Sequence, residues 1–432
     1  MSKHYKFICL LLVAALLLSG CLPAVDQLYR LPKRSEEYTQ LQTVIDEAMS
    51  AMTYCAPLSG KNQQAVQVAD LNGDGTNEYL VFAKDDTQSP LRILIFGQNG
   101  DSYQLAQTLE CSGDSFHMTE YAQMDEKPGV ELVFGSQLTQ DLSRNVNVYS
   151  FTENLDAMIL LDTSYSEFLT VDLDLNVQSE LFLLRSGTGN DEQGIAELYS
   201  IESGNMQRTN KMTMSGSTDK IKRILVGNLE GGTPAVYVAS TVDDTALITD
   251  VYVCISGKLE NVTFSGESGA SVRTMRSGYV YAEDIDHDGV VELPYLLPMM
   301  PMDNVVDPGM QELIRWYAMT ADGEEVIKTY TFHNFKDGWY LNLNTLWASR
   351  LTVIDRDGVY EFYIWNEDFE TAEKVLTIQK TGVQGRSELT DEQIILQARD
   401  GVTLSAYLES CALGYQLTKD NLTDSFHTIR QD

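Results

Sequence analysis

The sequence predicts an all-β protein built from about six similar units and preceded by a short helix. The first observation is a nine-residue acidic segment that occurs twice in strong form, as Asp70–Glu78 and Asp284–Glu292. The second is that short apolar, β-prone segments flank it, such as Ala65–Ala69 before the first copy and Tyr79–Ala83 after it. The third is that weaker copies lie at a regular spacing, which predicts one supersecondary unit repeated along the chain.

The weaker copies continue the series between and beyond the strong ones. Asp172–Glu180 keeps oxygen-bearing side chains at positions 1, 3, 5 and 9 but has Val177 at position 6, where the strong copies have glycine. Copies at 125–131 and 228–232 are shorter and have lost oxygen-bearing residues, and a last candidate at 355–361 has Val353 in place of the first ligand. The copies begin near residues 70, 124, 172, 228, 284 and 353, about 50 to 56 residues apart until the last, longer gap.

A period of this size, filled with short strands, is typical of β-propeller blades of about four strands each. Within one predicted blade, Leu181–Leu184 and Ala196–Ile201 are strands, and 202–205 is a turn with a Gly-Asn pair. We expect propeller repeats over residues 54–310, with some of the six blades degenerate. Residues 311–432 are expected to form a β-meander that completes the propeller and a small mixed α/β C-terminal segment.

The segment before the repeats predicts an amphipathic helix over residues 36–53. Six apolar residues recur there at helical spacing and share one face: Tyr38, Leu41, Val44, Ile45, Ala48 and Met52. In the C-terminal segment, Thr418 precedes a second, short capped helix that extends to Phe426.

The acidic segments have the composition of a loop that wraps a hard cation. Positions 1, 3, 5 and 9 offer side-chain oxygens, position 7 offers a backbone carbonyl, and glycine at position 6 lets the chain fold back. Oxygen ligands without sulfur favour Ca²⁺ over Zn²⁺, in a structural rather than a catalytic role. The predicted ligands are Asp70, Asn72, Asp74, Thr76 and Glu78 in the first copy and Asp284, Asp286, Asp288, Val290 and Glu292 in the second, with Asp172, Asp174, Asn176 and Glu180 as a weaker set. The alternative is an Asx-rich turn that needs no metal.

These segments differ from an EF-hand, which needs a glutamate at position 12 and flanking helices. Position 12 is Val81 in the first copy and Tyr295 in the second, and the flanking residues are strand-like. The segments instead resemble the Asp-x-Asp-x-Asp-Gly loops of the FG-GAP/VCBS class of β-propellers, over roughly residues 60–300. The resemblance implies a propeller fold with Ca²⁺ bound between strands.

The N-terminus predicts a bacterial lipoprotein. Lys3 and Lys6 precede the apolar run Phe7–Leu18, which ends in a small-residue segment before Cys21. We expect residues 1–20 to be a lipoprotein signal peptide and residues 21–35 to be the lipidated Cys21 with a tether. The protein would then be lipid-anchored on the extracytoplasmic face of the cell membrane. This layout is similar to that of VCBS-repeat lipoproteins of Firmicutes, a resemblance that implies no particular activity.

The acidic net charge limits the classes of molecule that the protein can bind. The formal net charge is −33, from 63 acidic and 30 basic residues, which argues against nucleic acid as a partner and favours bound cations. Cys55, Cys111, Cys254 and Cys411 show no zinc-binding spacing, and both disulfides and free thiols are compatible with the sequence.

Three functions are compatible with the sequence, because no catalytic residue can be nominated from a motif. The first is a membrane-anchored binding or scaffold module for an unknown protein or glycan, with structural Ca²⁺. The second is an extracellular carbohydrate-active hydrolase or lyase on a propeller scaffold, and the third is an envelope-assembly or sporulation-associated lipoprotein. A deep pocket with converging carboxylates and an arginine would favour the enzyme.

Overall fold

The computed structural model describes twelve stretches of the chain: residues 36–87, 90–100, 102–138, 143–187, 193–242, 245–277, 280–299, 312–366, 368–382, 393–399, 401–411 and 417–429. These residues form six antiparallel sheets, numbered here in chain order, and three α-helices. The predicted signal peptide, Cys21 and the tether lie outside the described residues.

Sheets 1 to 3 follow one another along the chain. Sheet 1 contains β1 (Thr53–Tyr54), β2 (Val66–Ala69), β3 (Glu78–Lys84), β4 (Leu91–Asn99) and β5 (Ser102–Cys111). Sheet 2 contains β6 (Ser115–Ala122), β7 (Glu131–Gln137), β8 (Arg144–Phe151) and β9 (Ala157–Tyr165). Sheet 3 contains β10 (Glu167–Val171), β11 (Glu180–Arg185), β12 (Ile195–Glu202) and β13 (Asn205–Thr213). In sheets 2 and 3 every strand pairs with the next one in sequence.

Sheets 4 to 6 have the same plan with additions. Sheet 4 contains β14 (Ile221–Asn228), β15 (Pro234–Thr241), β16 (Ala246–Ile255), β17 (Lys258–Asn261) and β18 (Arg276–Ser277). Sheet 5 contains β19 (Glu292–Pro298), β20 (Glu312–Met319), β21 (Glu325–Asn334), β22 (Trp339–Leu343) and β28 (Phe426–Thr428). Sheet 6 contains β23 (Leu351–Arg356), β24 (Val359–Asn366), β25 (Asp368–Gly382), β26 (Ile394–Arg399) and β27 (Val402–Leu408).

Buried aromatic pairs join the faces of successive sheets. Phe82 of sheet 1 meets Phe116 of sheet 2 edge-to-face, with ring centroids 5.0 Å apart. Sheets 3 and 4 are joined in the same way by Phe182 and Tyr252 at 5.3 Å. Such pairs add to the burial of apolar area that holds stacked sheets together. Each sheet therefore acts as one blade of a propeller-like body, and the predicted all-β class with about six blades is confirmed.

The first helix, α1 (Glu36–Ala48), covers the face of sheet 1 that is directed away from sheet 2. Its buried residues Leu41 and Ile45 pack on Val81, Leu94 and Phe96 of that face. Because strand side chains alternate between faces, neighbouring residues of β3 and β4 contribute instead to the core shared with sheet 2. No hydrophobic cluster of the described residues joins sheet 6 to sheet 1.

Helix α1 is shorter than the predicted range of 36–53. It ends at Ala48, and a turn follows. Thr53 and Tyr54 then pair with Lys84 and Ala83 as a short strand. The helix therefore ends before Met52, although the helical spacing of apolar residues includes it, because Thr53 and Tyr54 pair with sheet 1.

The C-terminal segment completes sheets 5 and 6, as predicted for the meander. The boundary expected at residue 310 falls inside sheet 5, because β19 pairs with β20 across it. Helix α2 (Thr345–Ala348) links the two sheets, and α3 (Lys419–Ser425) begins at Thr418, whose side chain accepts a hydrogen bond from the amide of Asn421. Strand β28 then returns to pair with β22 in sheet 5.

Candidate metal centres

The acidic segments connect strands of one sheet, and the structure defines five of them. Three join consecutive strands of a sheet through nine residues: loop 1 (Asp70–Glu78) between β2 and β3, loop 2 (Gln123–Glu131) between β6 and β7, and loop 3 (Asp172–Glu180) between β10 and β11. Loop 4 (228–234) joins β14 to β15, and loop 5 (Asp284–Glu292) leads into β19, with Glu283 bridging to Glu292. Their equivalent places in successive sheets support the repeat interpretation of the sequence.

A buried glutamate at position 9 closes four of these loops. In each loop one of its carboxylate oxygens accepts a hydrogen bond from the backbone amide at position 2, across 2.8 to 3.0 Å. The four glutamates are Glu78, Glu131, Glu180 and Glu292, which are 1 to 5% exposed or fully buried. The glutamate at position 9 therefore joins the end of the loop to the backbone at its start, a role that was not predicted from the sequence.

Loop 2 shows that this anchor does not depend on the other acidic positions. The sequence predicts a shortened copy starting near Asp125, but the structure has a full nine-residue loop with Gln123 at position 1 and the Met124 amide donating to Glu131. The earlier start was missed because Gln123 carries no charge. A glutamate directly before a buried apolar strand, here Leu132–Phe134, is the signal that would have found it.

A second repeated hydrogen bond links three of the loops to the one before. The amide at position 8 donates to the carbonyl of position 1 in the loop before: Val130 to Asp70 at 3.1 Å, Ser179 to Gln123 at 2.7 Å and Val291 to Asn228 at 2.9 Å. The same bond in three pairs of neighbouring loops means that the two sheets of each pair are related by a similar displacement. Loops 1 to 3 are therefore connected to one another, and loop 4 is connected to loop 5.

Position 1 organises the turn inside loops 1, 3 and 5. Its Oδ2 accepts the backbone amide of position 6 in all three loops, from Gly75 to Asp70 at 3.0 Å, from Val177 to Asp172 at 2.9 Å and from Gly289 to Asp284 at 3.1 Å. The loops are thus Asx-rich turns, as the metal-free alternative predicts. Each carboxylate oxygen has two lone pairs, so one remains for a cation.

The backbone of these loops is left-handed at positions 4 and 6. The φ angles are 73°, 62° and 63° at Gly73, Leu175 and His287, and 84°, 78° and 88° at Gly75, Val177 and Gly289. Glycine adopts such angles without strain, whereas a β-branched residue rarely does. Loop 3 therefore keeps the shape of loops 1 and 5 despite an unfavourable residue at position 6.

Two loops bring three carboxylates together. One oxygen from each of Asp172, Asp174 and Glu180 lies within 4.8 Å of the others, and Asp284, Asp286 and Glu292 form an equivalent group in loop 5. Within the described part of the chain these are the groups with that geometry. Loop 1 is not one of them, because position 3 there is Asn72. Its amide instead contacts Asp74 and the backbone of Glu153.

Position 5 of loop 5 already has a cationic partner. The Lys328 ammonium lies 2.6 Å from Asp288 and 3.0 Å from Glu230 of loop 4. Its hydrogen bond holds the pKa of Asp288 below the usual value. Asp288 is therefore turned to Lys328, which explains why it lies outside the carboxylate group that Asp286 joins.

The predicted carbonyl ligands lie at position 7. The amides of Thr76 and Val290 donate to the position-5 carboxylates Asp74 and Asp288, across 2.7 and 2.9 Å. In loop 3 the side chain of Asn176 accepts the equivalent bond from Gln178 at 2.7 Å. These bonds fix position 7 next to the carboxylates, and coordination through its carbonyl stays a prediction.

The electrostatics of loops 3 and 5 suit a hard cation. Burial, followed by the neighbouring aspartates, raises the pKa of both Glu180 and Glu292 to about 7, against the lowering effect of the anchoring amides. Glu292 is 0% exposed, and its Oε1 has no hydrogen-bond partner. An unpaired buried carboxylate oxygen is costly, and a bound cation would satisfy it. The residues therefore fit Ca²⁺ held by carboxylates.

The last candidate segment is a tight hairpin rather than a wrapping loop. Arg356 pairs with Val359, so that Asp357 and Gly358 form a two-residue turn with φ angles of 55° and 85°. Loop 4 lacks the position-9 glutamate and contributes Asn228, whose side chain donates to the Gly289 carbonyl of loop 5 at 3.1 Å. Both segments are turns, in agreement with their loss of ligands in the sequence.

None of the described helices has both the length and the apolar character needed to cross a bilayer.

The four cysteines of the described body, Cys55, Cys111, Cys254 and Cys411, are free thiols.

Comparisons with known proteins give likeness of fold only. No protein-family model matches the chain, and none of the curated proteins matches it. Among solved structures, a protein from Lactobacillus plantarum is 9% identical, with a TM-score of 0.28, over 76% of this chain and 95% of that one. A rhamnogalacturonan lyase of Bacillus licheniformis is 10% identical, with a TM-score of 0.31, over 79% and 85%.

A third similar structure is the β-propeller domain of the Trilobed protease from Pyrococcus furiosus, which is 11% identical, with a TM-score of 0.26, over 73% of this chain and 91% of that one. Identities and scores at this level carry no argument about activity. The propeller-like description of this chain rests on its own sheet order and repeated loop hydrogen bonds.

Proposed function

We propose that this protein is a lipid-anchored binding or scaffold module of the cell envelope, and that loops 3 and 5 hold structural Ca²⁺ ions. The observation that carries the metal part is the pair of equivalent carboxylate groups, Asp172, Asp174 and Glu180 in one loop and Asp284, Asp286 and Glu292 in the other. The unpaired buried oxygen of Glu292 supports it independently.

The position of the loops supports a structural role for the ion. Loop 5 donates a backbone hydrogen bond to loop 4 and accepts one from the Asn228 side chain, and loop 3 donates a backbone hydrogen bond to loop 2. An ion bound by a carboxylate group would hold its loop in the shape that these bonds require. Binding to the folded state alone stabilises it by about 2.7 kcal/mol when the free ion is at a hundred times its Kd.

The sequence supports the proposed anchor, and the repeated loops support the proposed binding role. A basic start, an apolar run and Cys21 occur together in the order of a lipoprotein signal. Behind the tether, a row of similar loops presents backbone and acidic side chains to a partner, an unknown protein or glycan. Nucleic acid is disfavoured as the partner because the formal charge is −33.

Thermal unfolding of the mature chain in detergent tests the metal part. We expect Ca²⁺ to raise the Tm above that in EDTA, and Asp284→Ala with Asp286→Ala, which removes two members of the carboxylate group, to remove part of the rise. The matched control is Asp125→Ala with Glu126→Ala, which changes two acids of loop 2 and should leave the rise intact. Equal Tm values with and without Ca²⁺ in the unmodified protein would refute the metal part.

Membrane fractionation tests the anchor. Cys21→Ser removes the thiol that would carry the lipid, so the variant should move from the membrane fraction to the soluble fraction. A variant that stays with the membrane would contradict lipid anchoring through Cys21.

A further inference from the structure

The last described strand, β28, lies at the edge of sheet 5 and is held there by a small number of backbone contacts. It is three residues long, and β22 is its one partner among the described strands. The amide of Ile429, the next residue, donates to the carbonyl of Gly338 at 2.9 Å. A short edge strand opens at a lower free energy than the core of a fold. Residues 426–429 are called the strap below.

Side chains of the strap pack on the face of sheet 5 that carries Trp316 and Tyr340. The imidazole of His427 stacks on Tyr340, with ring centroids 4.8 Å apart, and Tyr340 stacks in turn on His333 at 4.7 Å. Ile429 packs against the hydrophobic cluster that contains Trp316 and Tyr340. Aromatic stacking and apolar burial both favour the docked strap, so its docking depends on the shape of this cluster.

Loop 5 supplies part of the same cluster. Ile285, at position 2 of the loop, is 3% exposed and belongs to the cluster with Tyr340. Its neighbours along the chain, Asp284 and Asp286, are two members of the carboxylate group. Its amide donates to Glu292, the third member. An ion bound by these three carboxylates would therefore fix the backbone on both sides of Ile285.

A second observation places loop 5 beside the strap. Burial and, to a smaller extent, His287 at position 4 of loop 5 lower the pKa of His427. In loops 1 and 3, by contrast, the residues at position 2 are Leu71 and Leu173, which pack in the cores between sheets 1 and 2 and between sheets 3 and 4. Within the described part of the chain, contact with the strap is therefore particular to loop 5.

We propose that an ion held by the carboxylate group of loop 5 favours the docked strap, and that the docked strap favours the ion. This coupling rests on the proposed Ca²⁺ site and names a part of the fold that the ion controls. It is reciprocal, because both events stabilise the same packing of Ile285 against the cluster.

Hydrogen exchange of the full mature chain in detergent tests the coupling. We expect Ca²⁺, compared with EDTA, to slow exchange about tenfold in the peptide that contains residues 426–429, a factor within the ordinary range of coupling between sites. Asp284→Asn with Asp286→Asn should abolish this slowing. The matched control is Asp172→Asn with Asp174→Asn, which changes the equivalent residues of loop 3 and should retain the slowing.

Two further variants separate the packing contact from the metal ligands. Ile285→Ala keeps all three carboxylates, so it should retain a Ca²⁺-dependent rise in Tm but lose most of the slowing at residues 426–429. If this variant has a lowered Tm in EDTA, Ile429→Ala makes the same test from the strap. By reciprocity, Ile429→Ala should also weaken Ca²⁺ binding to loop 5 about fivefold, measured by titration calorimetry in the loop 3 variant.

The results distinguish the coupling from the metal site itself. A Ca²⁺-dependent rise in Tm without slower exchange at residues 426–429 overturns the coupling and leaves the metal site standing. Slowing that survives in both the Asp284→Asn, Asp286→Asn protein and the Ile285→Ala protein has the same meaning. Equal Tm values with and without Ca²⁺ in the unmodified protein overturn both proposals.

Discussion

Loops 3 and 5 have the same hydrogen-bond pattern and the same group of three carboxylates, but they differ at position 6 and at position 5, which is Asn176 in loop 3 and Asp288 in loop 5. Position 6 is Val177 in loop 3 and Gly289 in loop 5, with φ angles of 78° and 88°. Lys328 pairs with Asp288 in loop 5, whereas no described lysine or arginine forms an ion pair with the acids of loop 3. Side-chain hydrogen bonds to the backbone, rather than glycine at position 6, therefore define the loop shape.

The same comparison bears on the predicted metal sites. The sequence favoured loops 1 and 5 and treated Asp172, Asp174, Asn176 and Glu180 as the weaker set, because glycine is missing there. In the structure, loop 3 has the same group of three carboxylates as loop 5 and no described counter-cation, so we expect it to gain more from a metal. Four predictions test this difference and the glutamate anchor that the loops share.

The largest expected effect is on stabilisation by Ca²⁺. Asp172→Asn with Asp174→Asn should remove more of the Tm rise than Asp284→Asn with Asp286→Asn, because Lys328 already offsets part of the charge in loop 5. The difference should be of the order of 1 to 2 kcal/mol at saturating ion. Calorimetry with and without EDTA measures it, and a larger loss in the loop 5 variant would restore the ranking from sequence.

Loop 2 has the glutamate anchor at position 9 but no group of three carboxylates, so it shows the effect of the anchor without a metal. We expect this anchor to make the free energy of unfolding depend on pH. Burial raises the pKa of Glu131 to about 7 from the ordinary value of 4.5. Its contribution is therefore fully present below pH 4.5 and is lost as the pH rises through about 7, because the folded state retains a proton that the unfolded state releases.

Glu131→Gln keeps an acceptor for Met124 and cannot ionise. The variant should be more stable than the unmodified protein at pH 8, by about 2 kcal/mol, and equal to it near pH 4.5. Urea unfolding in EDTA at both pH values measures the difference. A difference that does not change with pH would contradict the assignment of the raised pKa.

Exchanging valine and glycine at position 6 of loops 3 and 5 tests whether the left-handed backbone at Val177 is strained. Val177→Gly should stabilise loop 3 by about 1 kcal/mol, the relief of a left-handed β-branched residue less the flexibility of glycine. Gly289→Val should destabilise loop 5 by about 1 to 3 kcal/mol, and it does so through the backbone alone, since a Cβ there meets no neighbour within 4 Å. If both variants have unchanged urea midpoints, the backbone of the two loops is not strained.

The smallest expected effect comes from Lys328→Met. Removing the ammonium from Asp288 and Glu230 should lower the stability of the metal-free protein by about 0.5 to 1 kcal/mol. The same change should increase the gain from Ca²⁺, because the carboxylates of loop 5 lose their competing cation. A variant whose Ca²⁺-dependent rise is smaller than that of the unmodified protein would argue against competition.

Short-range features of the fold could be predicted from the sequence. The hairpin at 202–205, the strands of the meander and the helix capped by Thr418 all follow from residues within about ten positions of one another. The all-β class and the number of blades could be predicted because one short-range pattern recurs about every 50 to 56 residues.

The missed features depend on burial and on partners distant in sequence. A glutamate at position 9 looks like a ligand until the fold buries it beside the amide of position 2. Lys328 reaches Asp288 and Glu230 from another strand. The packing of Leu422 of α3 in the core beside Trp347 exists only because α3 returns to sheet 5. No local pattern encodes these contacts.

The packing of α1 on sheet 1 affects the order in which the parts of the chain can fold. In a closed ring the first and last blades meet only after the whole polypeptide has been made, and closing so long a segment is entropically unfavourable. Here the first blade is completed by the helix that immediately precedes it. Sheets 2 to 4 can each add to a finished surface as they emerge, and contacts of short sequence separation favour rapid, vectorial folding. Sheet 5 is completed later, when β28 returns to it from the end of the described chain.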